Sequence, residues 1–133
     1  VTDRIAHGMI SLAGGNSTVL FVTFSSAIAL LTGFMDNVLA VATFIPILSD
    51  IEKSGIFTYP FWWGMLFSGT LYGNLTVIGS TANIVAMGML EREYNQHVSF
   101  AAWLKPGFIV STITLALALV LIYSQTSLMP GAS

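Results

Sequence analysis

The sequence lacks cysteine altogether and is poor in charge. Without cysteine it has no disulfide framework, no thiolate metal site and no cysteine nucleophile. Only 8% of its 133 residues are charged, against about 25% in a typical soluble domain. The net charge of -2 comes without any basic stripe, which argues against a nucleic-acid partner. This composition predicts a membrane protein.

Charged residues are missing from three long windows. No Asp, Glu, Lys or Arg occurs from Ile5 to Met35, between Lys53 and Glu91, or after Lys105. A membrane-spanning helix needs about 20 mostly apolar residues, and each window exceeds that length. We therefore expect an all-α, polytopic protein, folded as a single transmembrane domain over residues 1–133 and located in the inner or plasma membrane of the cell.

The first two apolar runs predict a re-entrant helical hairpin over about residues 17–50. The run from Ser17 to Phe34 suits a spanning helix of roughly 27 Å, and Asn16 is a suitable N-cap for it. The run from Val38 to Leu48 covers roughly 16–20 Å, which is too short to span and is typical of a re-entrant segment. Two interpretations fit: a hairpin whose tip lies within the membrane, or a single crossing followed by a short helix that dips back.

The third apolar run, about residues 56–91, contains a break. Glycine and asparagine recur between residues 73 and 83, and both disfavour continuous helix. We interpret this run as a discontinuous transmembrane helix; the alternative is a continuous helix kinked at glycine. Residues 106–124 predict a lipid-facing scaffold helix that begins at Pro106. The tail after it is expected to be disordered.

Asp36 is the one acidic residue flanked by apolar runs on both sides. A charge at mid-bilayer costs about 2.5–3.5 kcal/mol on insertion scales, which favours a functional site with a partner. The alternative is an ordinary aqueous turn made by Asp36 and Asn37. The break is the second candidate site, because discontinuous helices offer carbonyls to cations and helix N-termini to anions. Its polar candidates are Asn74, Thr76, Gly79, Ser80, Thr81 and Asn83.

Enzyme chemistry finds little support in the sequence. It contains no histidine pair at metal-ligand spacing, no Gly-x-Ser-x-Gly, no phosphate-loop lysine and no second carboxylate within an apolar run. We therefore predict that the protein is not an enzyme and that it has no cofactor other than a bound Na+.

Two stretches carry a resemblance to a known family. They read GFMDNV at residues 33–38, followed by FIPI at 44–47, and GNLTVIGSTANIV at 73–85. Over roughly residues 20–122 the chain resembles the C-terminal-type half of proteins in the ion transporter superfamily. That superfamily includes Na+/H+ antiporters, arsenite permeases, and citrate and dicarboxylate transporters.

The resemblance implies that each half of the protein supplies one hairpin and one broken helix, with cation and substrate between them. By position, the cation site would draw on Asp36, Asn37, Gly79, Ser80, Thr81 and Asn83, with Na+ held by Asp36, Asn37, Ser80 and Asn83. Dicarboxylate transporters have Ser-Asn-Thr where this chain has Asp-Asn-Val. The acidic tip is more similar to the Na+/H+ and arsenite branches.

From this resemblance we expect secondary active transport, coupled to sodium or protons and of the Na+/H+ antiport type. The alternative substrate is an anion such as arsenite or a carboxylate. The expected partners are the lipid bilayer, a small ion substrate, and a second repeat half in the same or a separate chain, or a second copy in a homodimer. Two rival interpretations stay open: a non-transporting membrane subunit that scaffolds a larger complex, and a channel lined by Asn, Ser and Thr.

Overall fold

The computed structural model describes residues 1–131, which form six α-helices joined by short turns. No β-strand occurs among these residues, in agreement with the predicted all-α class. Single turns of 3-10 helix occur at Tyr72–Asn74, Val77–Gly79 and Thr126–Leu128. The α-helices are α1 (Thr2–Leu12), α2 (Ser17–Phe34), α3 (Asn37–Lys53), α4 (Tyr59–Leu71), α5 (Thr81–Tyr94) and α6 (Phe100–Ser124).

Helix α2 has the bounds that its apolar run predicts. Asn16 caps it, because the Asn16 side-chain oxygen accepts a hydrogen bond from the backbone N–H of Thr18 at 3.0 Å. Both α2 and α6 are long and apolar enough to cross a membrane.

Helix α3 is longer than its apolar run, so the predicted length of that segment is wrong. It continues through the polar residues after Leu48 to Lys53 and has 17 residues. Lys53 donates to the Asp50 carboxylate at 3.1 Å, an i,i+3 pair that supports the last turn. A helix of this length covers about 25 Å. Its length therefore does not distinguish a re-entrant segment from a full crossing.

Helix α6 starts earlier than predicted, and the tail is partly ordered. The hydroxyl of Ser99 caps the helix by accepting from the N–H of Ala102 at 3.2 Å, so Pro106 lies inside the helix instead of at its first position. Beyond Ser124, the prediction of disorder is wrong for a 3-10 turn that ends at Leu128, and Met129 packs against the core. Residues 132–133 of that tail lie outside the described residues.

Helices α2 and α4 pack side by side and run in the same direction. Gly64 lies against Phe21 and Ser25, and the Thr32 hydroxyl donates to the Ser68 carbonyl at 3.3 Å. Small residues allow such close approach between helices in lipid. The carboxyl ends of α2 and α4 therefore lie at the same end of the bundle.

Aromatic contacts hold the middle of the bundle together. Phe24 is fully buried, with ring centroids 5.6 Å from both Phe44 of α3 and Phe61 of α4. Helix α6 runs opposite to α2, since the Tyr123 and Thr18 hydroxyls share a hydrogen bond of 2.7 Å. The amino-terminal part of α6 thus reaches the end of the bundle where α2 and α4 finish.

Candidate functional site

The helix that the sequence predicts to be discontinuous is interrupted in the structure. Helix α4 ends at Leu71, and α5 begins at Thr81 after two 3-10 turns. Thr76 (φ -124°, ψ 162°) and Ser80 (φ -150°, ψ 132°) are both extended, which stops the helix on either side of the second turn. The alternative of a continuous, glycine-kinked helix is wrong. We call residues 72–80 the break.

Thr76 joins the break to the end of α2. Its side chain is fully buried, and its hydroxyl donates to the carbonyl of Gly33 in the last turn of α2. The same oxygen accepts from the backbone N–H of Gly79 at 3.1 Å. This hydroxyl therefore uses both its donor and its acceptor capacity on backbone groups, and it holds the break against the end of α2.

Glycine at position 79 allows backbone to touch backbone. A Cβ at Gly79 would lie 2.5 Å from the Gly73 carbonyl oxygen and 2.8 Å from that of Thr32. The approach is reciprocal, since a Cβ at Gly73 would lie 3.0 Å from the Gly79 carbonyl oxygen. The two turns of the break and the last turn of α2 thus form one compact cluster of carbonyl groups.

Asn83, in the first turn of α5, covers part of this cluster. Its side-chain amide donates to the carbonyls of Gly73 at 3.4 Å and Thr76 at 3.3 Å. These long hydrogen bonds are near the limit of useful geometry, so the carbonyls are weakly held. The structure therefore brings three predicted site residues, Thr76, Gly79 and Asn83, into one place.

Asp36 and Asn37 lie at the link between α2 and α3. The Asp36 carboxylate is exposed and accepts from the N–H of Val38 at 2.9 Å, which caps α3. Among residues 1–131 it forms no ion pair, and no side-chain hydrogen bond joins Asp36 or Asn37 to the break. Asp36 is linked to the break only indirectly, because it lies three residues after Gly33, whose carbonyl accepts from Thr76. The turn chemistry that the sequence suggested is present.

The other predicted residues take different positions. The Ser80 side chain does not cap α5, so the first N–H groups of that helix have no side-chain acceptor there. Thr81 is exposed. Asn74 turns away from the cluster, because its carbonyl accepts from the indole N–H of Trp103 in α6 at 3.1 Å.

Four residues of the site were not predicted. Thr32 and Gly33 present carbonyl oxygens from α2, and Trp103 and Gly107 meet the break from α6. A Cβ at Gly107 would lie 2.6 Å from the Leu75 carbonyl oxygen. Each of these contacts joins segments far apart in the chain, so no local pattern marks them.

The donor set suits an alkali cation better than a transition metal. Within the described part of the chain, no three His, Cys, Asp or Glu side chains cluster in a way that could hold a metal ion. The break and the link between α2 and α3 offer oxygen atoms from backbone carbonyls, side-chain amides and one carboxylate. Hard cations prefer such oxygen ligands. Of the expected Na+ ligands, Asn83 donates its backbone N–H to the Ser80 carbonyl at 3.1 Å, whereas no hydrogen bond joins this pair to Asp36 or Asn37.

Comparison with known proteins adds an independent finding. A family model described as citrate transporter, CitMHS, matches residues 1–131. A protein named as an uncharacterized transporter in Mycobacterium tuberculosis (strain CDC 1551 / Oshkosh) is 28% identical over 126 residues, which is 92% of this chain and 29% of that protein. A 46 kDa membrane protein of Mycobacterium leprae is 29% identical over 121 residues, or 89% of this chain and 28% of that protein.

A similarity over a shorter stretch of the chain extends to animals. The P protein of Homo sapiens is 30% identical over 95 residues, which is 69% of this chain and 11% of that protein. The chain thus spans less than a third of the length of each of these relatives.

Proposed function

The chain belongs to the citrate transporter family, and we propose that it forms half of the transport site of a secondary transporter. The proposed substrate is a small anion of the carboxylate class, and the proposed coupling cation is Na+ or H+. Together, the family and the two apolar helices α2 and α6 identify an integral membrane protein. The observation that carries the proposal is the direct backbone contact between the break and the last turn of α2.

Unwound backbone within a membrane requires cover by protein or a water-filled cavity. Here α2 and α6 supply that cover, since Thr76 and Gly79 are buried and Trp103 closes one side. Buried backbone carbonyls are costly when they are poorly paired, and those of Gly73 and Thr76 are held by the long hydrogen bonds from Asn83. This cost favours a transport site over a purely structural kink.

The two ends of the break suit ligands of opposite charge. The carbonyls of Gly73 and Thr76 both accept from the side-chain amide of Asn83. A coupling cation bound by these two carbonyls would replace the weak hydrogen bonds of that amide. Helix α5 starts immediately after the break, and its uncapped N–H groups carry the partial positive charge of a helix N-terminus. A carboxylate group of the substrate would bind there.

The expected Na+/H+ antiport stays a second candidate because of Asp36. An exposed carboxylate at the tip between α2 and α3 can exchange a proton for a cation without any organic substrate. In that case Asp36 would be the exchanging group itself. In carboxylate transport it would instead tune the affinity for the coupling cation.

We propose that a partner completes the site. Helix α5 buries no residue and is held mainly by the turn Val77–Gly79. The proposed partner is a second repeat half, in the same polypeptide or a separate one, or a second copy of this chain. Its own hairpin and broken helix would face the break across the membrane interior.

Transport by the intact protein in proteoliposomes tests the proposal. Uptake of labelled citrate is measured against Na+ concentration and pH for the wild type, Asp36→Asn and Glu52→Gln. Asparagine is as good an N-cap as aspartate, so Asp36→Asn removes the charge while α3 stays capped. Glu52, exposed at the other end of α3, is the matched control.

We expect Glu52→Gln to behave as the wild type and Asp36→Asn to lose its dependence on the coupling cation. Equal, fully coupled uptake by Asp36→Asn would remove this carboxylate from the mechanism. Exchange of Na+ for protons without citrate uptake would favour antiport. A wild type that moves neither would contradict both citrate transport and Na+/H+ antiport by this protein and favour the scaffold interpretation.

A further inference from the structure

We propose that Trp103 and Gly107 of α6 are positioning residues for the coupling-cation site, which makes α6 a working part of that site and not a passive scaffold. The two residues are one helical turn apart and so lie on one face of α6. That face meets the break: the indole N–H of Trp103 donates to the Asn74 carbonyl at 3.1 Å, and Gly107 lies against the carbonyls of Asn74 and Leu75. The inference rests on the proposed function.

The contact at Gly107 leaves no room for a side chain. A Cβ there would lie 2.6 Å from the Leu75 carbonyl oxygen and 2.9 Å from that of Asn74, and both are backbone atoms that cannot move aside alone. Backbone of the break therefore rests directly on backbone of α6. The indole then fixes the rotation of the Asn74 peptide group, because the hydrogen bond is directional.

Leu75 transmits the position of α6 to α2. Its backbone faces Gly107, while its buried side chain fills the space beside Gly33, where a Cβ would lie 2.6 Å from Leu75 Cδ2. Gly33 is also the residue whose carbonyl accepts from Thr76. A shift of the break on α6 would therefore also disturb the last turn of α2, next to Asp36.

The carbonyls of the break point in two directions. Those of Gly73 and Thr76 meet the Asn83 amide, whereas those of Asn74 and Leu75 face α6. These four residues are consecutive, so rotating the Asn74 peptide also changes the orientation of the Gly73 and Thr76 carbonyls. The interaction with α6 thereby sets the geometry that a coupling cation would meet.

The test measures citrate uptake by the intact protein in proteoliposomes while Na+ and pH are varied in turn. Trp103→Phe keeps the ring and removes the N–H donor. Trp63→Phe, on an exposed tryptophan of α4, is the matched control. Loss of one neutral hydrogen bond should raise the half-saturating concentration of the coupling cation about threefold to tenfold. The maximal rate should stay near that of the wild type, and the melting temperature should fall by no more than one lost hydrogen bond explains.

Gly107→Ala provides the steric counterpart and should shift the cation dependence further in the same direction. Because the Gly107→Ala variant can fail to fold, the result for Trp103→Phe decides whether the positioning role holds. An unchanged half-saturating cation concentration in Trp103→Phe, or a lower melting temperature without such a change, overturns the positioning role and leaves the proposed function intact. A wild type without cation-dependent uptake overturns both.

Discussion

Replacing Gly79 with alanine tests whether backbone contact at the break is essential. The added methyl group would lie 2.5 Å from the Gly73 carbonyl oxygen, 2.8 Å from that of Thr32 and 3.2 Å from that of Gly33. Comfortable contacts between carbon and a carbonyl oxygen begin at about 3.3 Å. Two separate backbone segments must therefore withdraw by roughly half an ångström or more.

The size of the effect follows from this overlap. Overpacking a well-packed interior costs about 1–3 kcal/mol, which corresponds to roughly a fivefold to 150-fold change in an equilibrium constant. We expect the upper part of this range, because the obstacles are backbone atoms from both α2 and the break. Gly79 does not have a positive φ, so alanine adds no backbone strain and the effect is purely steric.

The assay is cation-dependent citrate uptake by the reconstituted protein, together with a thermal melt of the purified protein. Gly79→Ala should lower uptake at least tenfold at fixed cation concentration and should lower the melting temperature. Gly8→Ala is the matched control, because Gly8 lies inside α1 and a Cβ there would meet nothing within 4 Å. If Gly79→Ala matched Gly8→Ala in uptake and melting, the compact carbonyl cluster would not exist as described.

Two further substitutions follow from the buried contacts. Thr76→Val keeps the side-chain volume but removes the donor to the Gly33 carbonyl, while the Gly79 N–H keeps only the Thr76 backbone carbonyl, so we expect a loss of about 1–3 kcal/mol in stability. Thr70→Val, whose exposed hydroxyl bonds only within its own helix, should be close to neutral in the same chemical-denaturation series; equal effects would contradict the argument. Phe24→Ala opens a cavity between Phe44 and Phe61. In soluble cores such a change lowers the free energy of unfolding by about 3–5 kcal/mol; here we expect a loss of about 3 kcal/mol or less, because the side chain of the unfolded protein meets lipid instead of water. A melt unchanged from that of the wild type would contradict the buried aromatic cluster.

Local patterns predicted the elements, and capping changed their ends. The bounds of α2 follow from its apolar run and Asn16, and the break follows from glycine and asparagine in a stretch that would otherwise be helical. The end of α3 was missed because the helix continues beyond its apolar part through polar residues, among which Asp50 and Lys53 form an i,i+3 ion pair. The start of α6 was missed because Ser99 caps it well before Pro106.

The site was predicted only in part, because local patterns mark polar residues but not the distant residues that contact them. Residues 74–83 stood out because polar groups rarely occur inside an apolar run. Their partners did not, since the Thr76–Gly33 contact spans 43 positions and the Trp103–Asn74 contact spans 29. Such pairings depend on how the helices pack, which is not written in any local pattern. The ion-binding role of Asp36 stays a prediction.

The direction of the first helices has a consequence for how the protein enters the membrane. Helix α3 turns back after a two-residue link, and α4 starts out parallel to α2, so Ser17, Lys53 and Tyr59 lie at one end of the bundle. The segment between them can insert as a closed hairpin during synthesis. The charged turn that holds Asp50, Glu52 and Lys53 then lies in the water on the same side of the membrane as Ser17, whether the hairpin crosses the bilayer fully or only enters it.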